Sequence, residues 1–178
     1  VKQGTYNYKS IVRDIAVMEL LFATGMRVSE LSNLLKKNIN IKKGVINIIG
    51  KGDKERIIQI CDINVKNALS DYHSLFKNDI LKNDYFFINK WNNTLSEQSV
   101  RFMIKKYSEK ANLKKHITPH VFRHSFATAL LEENIDIRYI QKILGHSSVV
   151  TTQIYTKVNS KQQKKILSTK HPRRHFNI

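Results

Sequence analysis

The 178-residue chain predicts an α+β domain, mostly helical, with one small antiparallel sheet. Three observations predict it. Apolar segments bounded by helix-start and helix-stop residues fill most of the chain. Two Ile-rich runs flank a glycine-containing turn. Hydrophobic residues make up 41% of the sequence, too many for a disordered chain and enough for a real core at this length.

The elements follow in order. Residues 9–23 read as a buried helix, because Ile11, Val12, Ile15, Ala16, Val17, Met18, Leu20, Leu21 and Phe22 leave little polar face. Thr24-Gly25 breaks it, and a short helix follows over about 27–35. Three strand-like runs come next. Asn38–Ile41 is short, while Val45–Ile49 and Arg56–Ile60 flank the turn Lys51-Gly52-Asp53-Lys54, which makes a hairpin with a cationic tip. Asp62 is placed to cap a helix over about 63–77. Tyr85–Ile88 is a strand or a loop, and Ser96 with Glu97 opens a basic helix to about Asn112. Thr118-Pro119 pairs an N-cap with proline at the first helical position, so a helix runs to about Glu133. Asp136 begins another, ended by Gly145 as a C-cap. Ser148 starts a helix that carries Tyr155, and a basic helix covers about 160–168. No repeat or low-complexity linker interrupts the chain, so residues 1–178 are expected to form one domain.

Charge bounds the partners. Lys and Arg total 31 against 14 Asp and Glu, a net charge of +17. A field that positive requires a polyanion: DNA, RNA or an acidic membrane surface. A low-GC genome would raise lysine but would not lower Asp and Glu to this degree. No apolar stretch is long enough to cross a membrane, and no signal peptide opens the chain. Cys61 is the only cysteine, which excludes a disulfide framework and a thiolate metal site. A cytoplasmic location is expected.

Six residues carry the chemistry. Arg27 lies in Thr24-Gly25-Met26-Arg27-Val28-Ser29-Glu30-Leu31, and Lys51 in Gly50-Lys51-Gly52-Asp53-Lys54-Glu55-Arg56. His120 and Arg123 lie in His120-Val121-Phe122-Arg123-His124, His146 in Leu144-Gly145-His146, and Tyr155 nine positions after it. His120 and Arg123 share a helix face at that spacing. Arginine forks clamp two phosphate oxygens at once, histidines and lysine move protons, and a tyrosine supplies the nucleophile. Taken singly, each has a blander reading: a surface ion pair for the arginines, with Glu30 or Glu19 as partner of Arg27, a solvated turn lysine, a histidine after a glycine cap. Tyr155 is singled out among seven tyrosines by its place after Leu-Gly-His and by its polar setting. His116, His120 and His124 are spaced by four, but Pro119 interrupts a helix through His116 and no carboxylate or cysteine completes the set, so no metal is expected.

The order and settings of these motifs resemble the catalytic domain of tyrosine recombinases, the phage-integrase and Xer family, from about Ile11 to the C-terminus. The resemblance implies the DNA breaking-rejoining catalytic fold and an enzyme without cofactors. In the family the hairpin lysine protonates the departing 5′ oxygen, which assigns Lys51, with Lys54 as the alternative. His120 would assist proton transfer at the nucleophile, and His146 would hydrogen-bond a phosphate oxygen. His124 is expected to pack structurally. The alternative reading of Glu30 is an orienting partner of Arg27 rather than a plain surface partner. Lys54, Arg56, Arg101 and Lys105 are expected to contact DNA. Family members usually carry an N-terminal helical domain that grips the other face of the DNA; the chain opens at Val1 directly on catalytic sequence, so that domain is expected to be absent from this fragment.

Residues 157–178 hold seven Lys and Arg and no Asp or Glu. His171-Pro172-Arg173 resembles the end of Xer-type recombinases, which implies a tail that docks on a neighbouring protomer, with Ile166 and Leu167 as anchors. The expected function is therefore site-specific recombination of duplex DNA through a 3′-phosphotyrosyl link, in a tetramer formed with copies of the same or a related recombinase. Two rivals remain: a type IB topoisomerase, which uses similar residues to relax DNA, and a non-catalytic DNA-binding module that kept the fold.

Overall fold

The computed structural model describes residues 6–49, 55–145 and 160–170. Helix α1 spans Tyr6–Thr24 and α2 Val28–Ser32, followed by a single 3-10 turn at Lys36–Asn38. Strands β1 (Ile39–Asn40), β2 (Val45–Ile49) and β3 (Glu55–Gln59) form one sheet in that order, antiparallel throughout. Helices α3 (Ile63–Leu75), α4 (Lys77–Leu81), α5 (Glu97–Lys110), α6 (Pro119–Glu132), α7 (Ile137–Leu144) and α8 (Ser160–Thr169) complete the described fold. The mostly helical α+β class with a small antiparallel sheet is therefore the one expected.

The caps act as their residue types dictate. The Asp62 carboxylate accepts from the Asn64 and Val65 N–H groups, Ser96 Oγ from Ser99, and Asp136 from Arg138. Pro119 opens α6, although the Thr118 side chain makes no capping bond. At the end of α1, Thr24 Oγ1 donates to Leu20 O at 2.6 Å and accepts from the Met26 N–H at 3.2 Å, and Gly25 turns the chain at φ 59°.

One local departure and one reading left open have clear causes. The helix expected over 63–77 stops at Leu75, because Phe76 leaves helical geometry (φ −106°, ψ 13°) to bury its ring, and α4 starts beyond it. Tyr85–Ile88 is not a regular strand: it bends at Phe86 and Phe87 and makes the isolated bridges Leu35↔Tyr85 and Ile88↔Thr94. The Tyr72 hydroxyl takes the place of a strand partner there, donating to Phe86 O at 2.9 Å and accepting from the Ile88 N–H at 3.1 Å.

The core has two parts. The larger gathers α1, α2, the sheet and α3 to α5 around Leu20, Leu21, Ile46, Ile58, Leu69, Tyr72 and Phe87. The smaller joins α6, α7 and α8 through Phe126, Leu130, Ile140, Ile143, Leu144 and Leu167. They meet at Gly25, where an added Cβ would lie 2.6 Å from Phe126 Cδ1 and 2.7 Å from Leu144 Cδ2. The missing side chain lets α6 and α7 close on the α1–α2 corner, and that closure builds the site.

Helix α8 packs on its own chain. Gln163 Nε2 donates to Ile57 O at 3.1 Å, Lys170 Nζ to Glu133 O at 2.7 Å, and Leu167 is 1% exposed. Leu167, expected as an anchor on a neighbouring protomer, is thus a core residue of this chain, and Ile166 packs partly buried beside it. Among the described residues no helix is long and apolar enough to cross a membrane.

Candidate active site

Three arginines from three elements converge on the last three carbonyls at the end of α7. Gly145 closes that helix in the left-handed conformation at φ 68°, which leaves the carbonyls without helical donors. Arg56 Nε, on β3, donates to Ile143 O at 3.0 Å. Arg123 Nη2, on α6, donates to Leu144 O at 2.8 Å, and Arg27 Nη2, at the start of α2, donates to Gly145 O at 3.2 Å. Arg123 Nη1 also donates to Gly25 O at 2.7 Å, which ties the α1–α2 corner to the same point.

One carboxylate lies among these charges. Glu30 is the third residue of α2, and its Oε2 accepts the Arg27 N–H at 2.8 Å, one half of a capping box. Oε1 accepts from Arg27 Nη1 at 3.1 Å, while Arg56 approaches with both prongs of its fork, at 2.8 Å to each oxygen. The Glu30 side chain is 5% exposed and Arg56 13%, but Arg27 is 39% exposed. Arg27 is therefore anchored at its root and open to solvent at its head. Burial alone would push the Glu30 carboxyl up; hydrogen bonds from Arg56 and from the Arg27 N–H outweigh it and hold the carboxyl below its ordinary value. Burial, then the like charge of Arg27, pulls the Arg123 guanidinium down to about 10, with Glu30 opposing and Arg56 adding to the fall. Arg123 stays a cation at neutral pH.

His120 lies one helical turn before Arg123 on α6 and is exposed, whereas Arg123 is buried. Arg27, His120 and Arg123 are the three sequence-selected catalytic candidates within the described residues. Lys51, Lys54, His146 and Tyr155 lie outside them. His124, expected to pack, is exposed. Arg101 pairs with Glu97 at 2.7 Å and Lys105 with Glu109 at 3.8 Å, both on α5 and both with exposed side chains. Arg56 departs from expectation: it was read as a phosphate contact, and its guanidinium instead turns inward onto Glu30 and Ile143. Glu30 was named as a partner of Arg27, but its bond to Arg56 was not foreseen. A signal existed. Alternation along β3 puts Arg56 on the face of Ile58, which is fully buried.

This arrangement presents cations that are held before any ligand arrives. Arg123 uses two of its five N–H groups on carbonyls, and Arg27 keeps an open head, so both have donors for a tetrahedral oxyanion. Among the described residues, no cluster of three or more His, Cys, Asp or Glu side chains could hold a metal ion.

The model of the phage integrase family matches residues 4–162. This chain belongs to the phage integrase family. A relative named tyrosine recombinase, from Agathobacter rectalis, is 52% identical over 173 residues, covering 97% of this chain and 56% of its own length. The crystal structure of XerA recombinase matches with a TM-score of 0.72 at 34% identity, covering 95% of this chain and 60% of that one. XerH site-specific recombinase, solved bound to its difH substrate in a pre-cleavage complex, matches with a TM-score of 0.71 at 27% identity over 93% of this chain and 48% of that one. The chain spans about half the length of the curated relatives it matches. Within the integrase fold, the arginine-lined end of α7 is the corner where α2, β3 and α6 meet.

Proposed function

We propose that residues 1–178 form the catalytic domain of a tyrosine-type site-specific DNA recombinase. It would cleave and rejoin duplex DNA through a 3′-phosphotyrosyl link, with no metal or cofactor. One observation carries the reading: Arg27 and Arg123, 96 positions apart, are fixed at one helix end with His120 a turn away from Arg123.

The chemistry follows from that geometry. A phenol is a weak nucleophile near neutral pH because its ordinary value is about 10. It needs a base and a phosphate whose charge is already met. Arg27 and Arg123 would bind the non-bridging oxygens, where negative charge grows in the transition state, so they stabilise it more than the ground state. The Tyr155 oxygen would attack phosphorus while His120 assists removal of its proton. The bond from phosphorus to the 5′ oxygen would break, and Lys51 would protonate that oxygen as it leaves, with Lys54 as the alternative acid. His146 would donate to a phosphate oxygen. The phosphotyrosyl ester conserves the bond energy, so a 5′ hydroxyl from another strand can attack it and reseal without ATP.

Strand exchange then needs four such sites on paired duplexes, exchanged two at a time through a Holliday junction. The partners proposed are duplex DNA and further protomers of this or a related recombinase, in the cytoplasm. XerH, solved with its difH substrate, supports the DNA assignment. Lys54, Arg101 and Lys105 are proposed to contact DNA. The tail over 157–178 is proposed to reach a neighbouring protomer. Leu167 is already buried in its own chain, so that docking would fall to the residues after α8.

The test is covalent trapping. The protein is incubated with nicked, fragmented DNA from the source cell, denatured and digested, and peptides are searched by mass spectrometry for a nucleotide on Tyr155. An adduct that disappears in Tyr155→Phe, while DNA affinity persists, supports the reading. DNA binding without an adduct points to a non-catalytic module. An adduct accompanied only by relaxation of supercoiled DNA, never by recombined products, points to a topoisomerase.

A further inference from the structure

We infer that Arg56 is a positioning residue of the proposed cleavage reaction: it locks the Glu30 carboxylate and the end of α7 into one arrangement, and thereby sets where Arg27 points. The inference rests on the recombinase reading above.

Arg56 joins three separate pieces of the chain: β3, the end of α7 and α2. Its register partner is Ile48 on β2, one pair before the last described rung, Ile49↔Glu55. It therefore stands at the end of the described ladder, two residues after Lys54 in sequence. Its Nε fixes Ile143 O, three residues before His146, and its two terminal nitrogens occupy both oxygens of Glu30. Glu30 in turn grips Arg27 twice, at the backbone N–H and at Nη1. All three nitrogens of the Arg56 guanidinium are thus engaged inside the protein, and the side chain is 13% exposed. A group so placed has no fork left for a phosphate.

Gly145 supports the same conclusion from the other side. A Cβ there would lie 2.8 Å from Arg56 Nη1, 3.1 Å from Cζ and 3.2 Å from Cδ. The Arg56 side chain thus fills the space that a side chain at the C-cap would need. Lysine cannot reproduce this: it has one nitrogen and no planar fork to span Ile143 O and both Glu30 oxygens.

The groups that face Glu30 are Arg27 on its own element, Arg56 from β3 and Arg123 from α6. Without Arg56 the carboxylate loses its largest opposing influence to burial, and its protonation would release Arg27. This separates positioning from mere structure, because a structural role predicts no new pH dependence.

The experiment uses the whole chain with a nicked duplex substrate, and compares wild type with Arg56→Lys and Arg56→Met. It measures DNA affinity as a function of salt, the rate of covalent-adduct formation at saturating DNA, and that rate against pH. Positioning predicts affinity within about twofold of wild type and an unchanged salt slope. It also predicts adduct formation slowed tenfold or more in both variants, as a loss of transition-state contacts without loss of binding. In Arg56→Met the rate should fall on acidification at a pH where wild type is still level. A phosphate contact predicts the opposite: weaker binding, a salt slope smaller by about one, and normal cleavage once bound. That result overturns the inference, as does a variant with wild-type rates and an unshifted acid limb. If Arg56→Met does not fold, Arg56→Lys decides by rate and affinity alone. A wild type that binds DNA and forms no adduct overturns the recombinase reading itself, and the inference with it.

Discussion

Arg123 and Gly25, 98 residues apart in sequence, are joined by a 2.7 Å hydrogen bond from the arginine Nη1 to the glycine carbonyl. The second prong of the same guanidinium holds Leu144 O at 2.8 Å, so one side chain closes the corner between α1, α6 and α7. Replacing Arg123 by lysine keeps a charge and loses the fork. We predict that Arg123→Lys binds DNA within about tenfold of wild type but forms the covalent adduct about 100- to 1000-fold more slowly, as for loss of one preorganised oxyanion donor. Single-turnover gel assays at saturating DNA check this.

Gly25 itself tolerates no side chain. Its φ of 59° disfavours an L residue, and its Cβ would collide with the buried ring of Phe126 and with Leu144. Gly25→Ala should cost about 2 kcal/mol or more, from strain and overpacking together. Urea unfolding gives the value directly, and a cost under half of that would mean that α6 moves aside freely.

Glu30 offers a pH test whose sign is fixed. Its folded carboxyl sits below the ordinary value of 4.5, so its contribution to stability is complete above that value. The contribution is lost as pH falls through the lower, folded value. Urea midpoints of wild type and Glu30→Gln should therefore differ at neutral pH and converge as the solution is taken from about pH 6 to about pH 3. Glu30→Ala, which leaves Arg56 facing a buried gap, should lose about 3–5 kcal/mol at neutral pH.

The seat of α8 can be weighed separately. Leu167 is 1% exposed and belongs to the core cluster of Phe126, Leu130 and Ile143. Leu167→Ala should destabilise the chain by about 2–5 kcal/mol, whereas an exposed anchor awaiting a second protomer would cost almost nothing. Equilibrium unfolding of the isolated, dilute protein tells the two apart.

Much of this architecture could be read from the chain. Asp62, Ser96, Asp136 and Gly145 marked helix ends because their chemistry satisfies orphan backbone groups locally, with no reference to the rest of the fold. The hairpin strands were legible from another local signal, Ile-rich runs on either side of a glycine-containing turn. The break at Phe76 was not, because Phe76 packs beside Tyr72, with centroids 4.7 Å apart, in a ring cluster that Phe86 and Phe87 complete from later in the chain. For the site, Arg27, His120 and Arg123 were visible as motifs, and the structure brings Arg27 and Arg123 to one helix end. Arg56 was read as a phosphate contact because a basic residue beside a cationic turn suggests one, and its inward bonds were not foreseen. Its strand parity with Ile58 pointed inward, but its partner Glu30 is 26 residues earlier and on another element. Such a pair is invisible until the chain closes.

The end of α7 has one more consequence. A helix C-terminus carries about half a negative charge from its aligned peptide groups. Gathering three guanidinium groups in one place is unfavourable by mutual repulsion, and here that repulsion is opposed by Glu30 together with the macrodipole of an eight-residue helix. Part of the counter-charge is thus backbone, which neither titrates nor diffuses away. Salt can therefore weaken the approach of DNA to this surface while leaving the spacing of its cations unchanged, so ionic strength should tune how often the protein meets its substrate far more than how fast it acts once there.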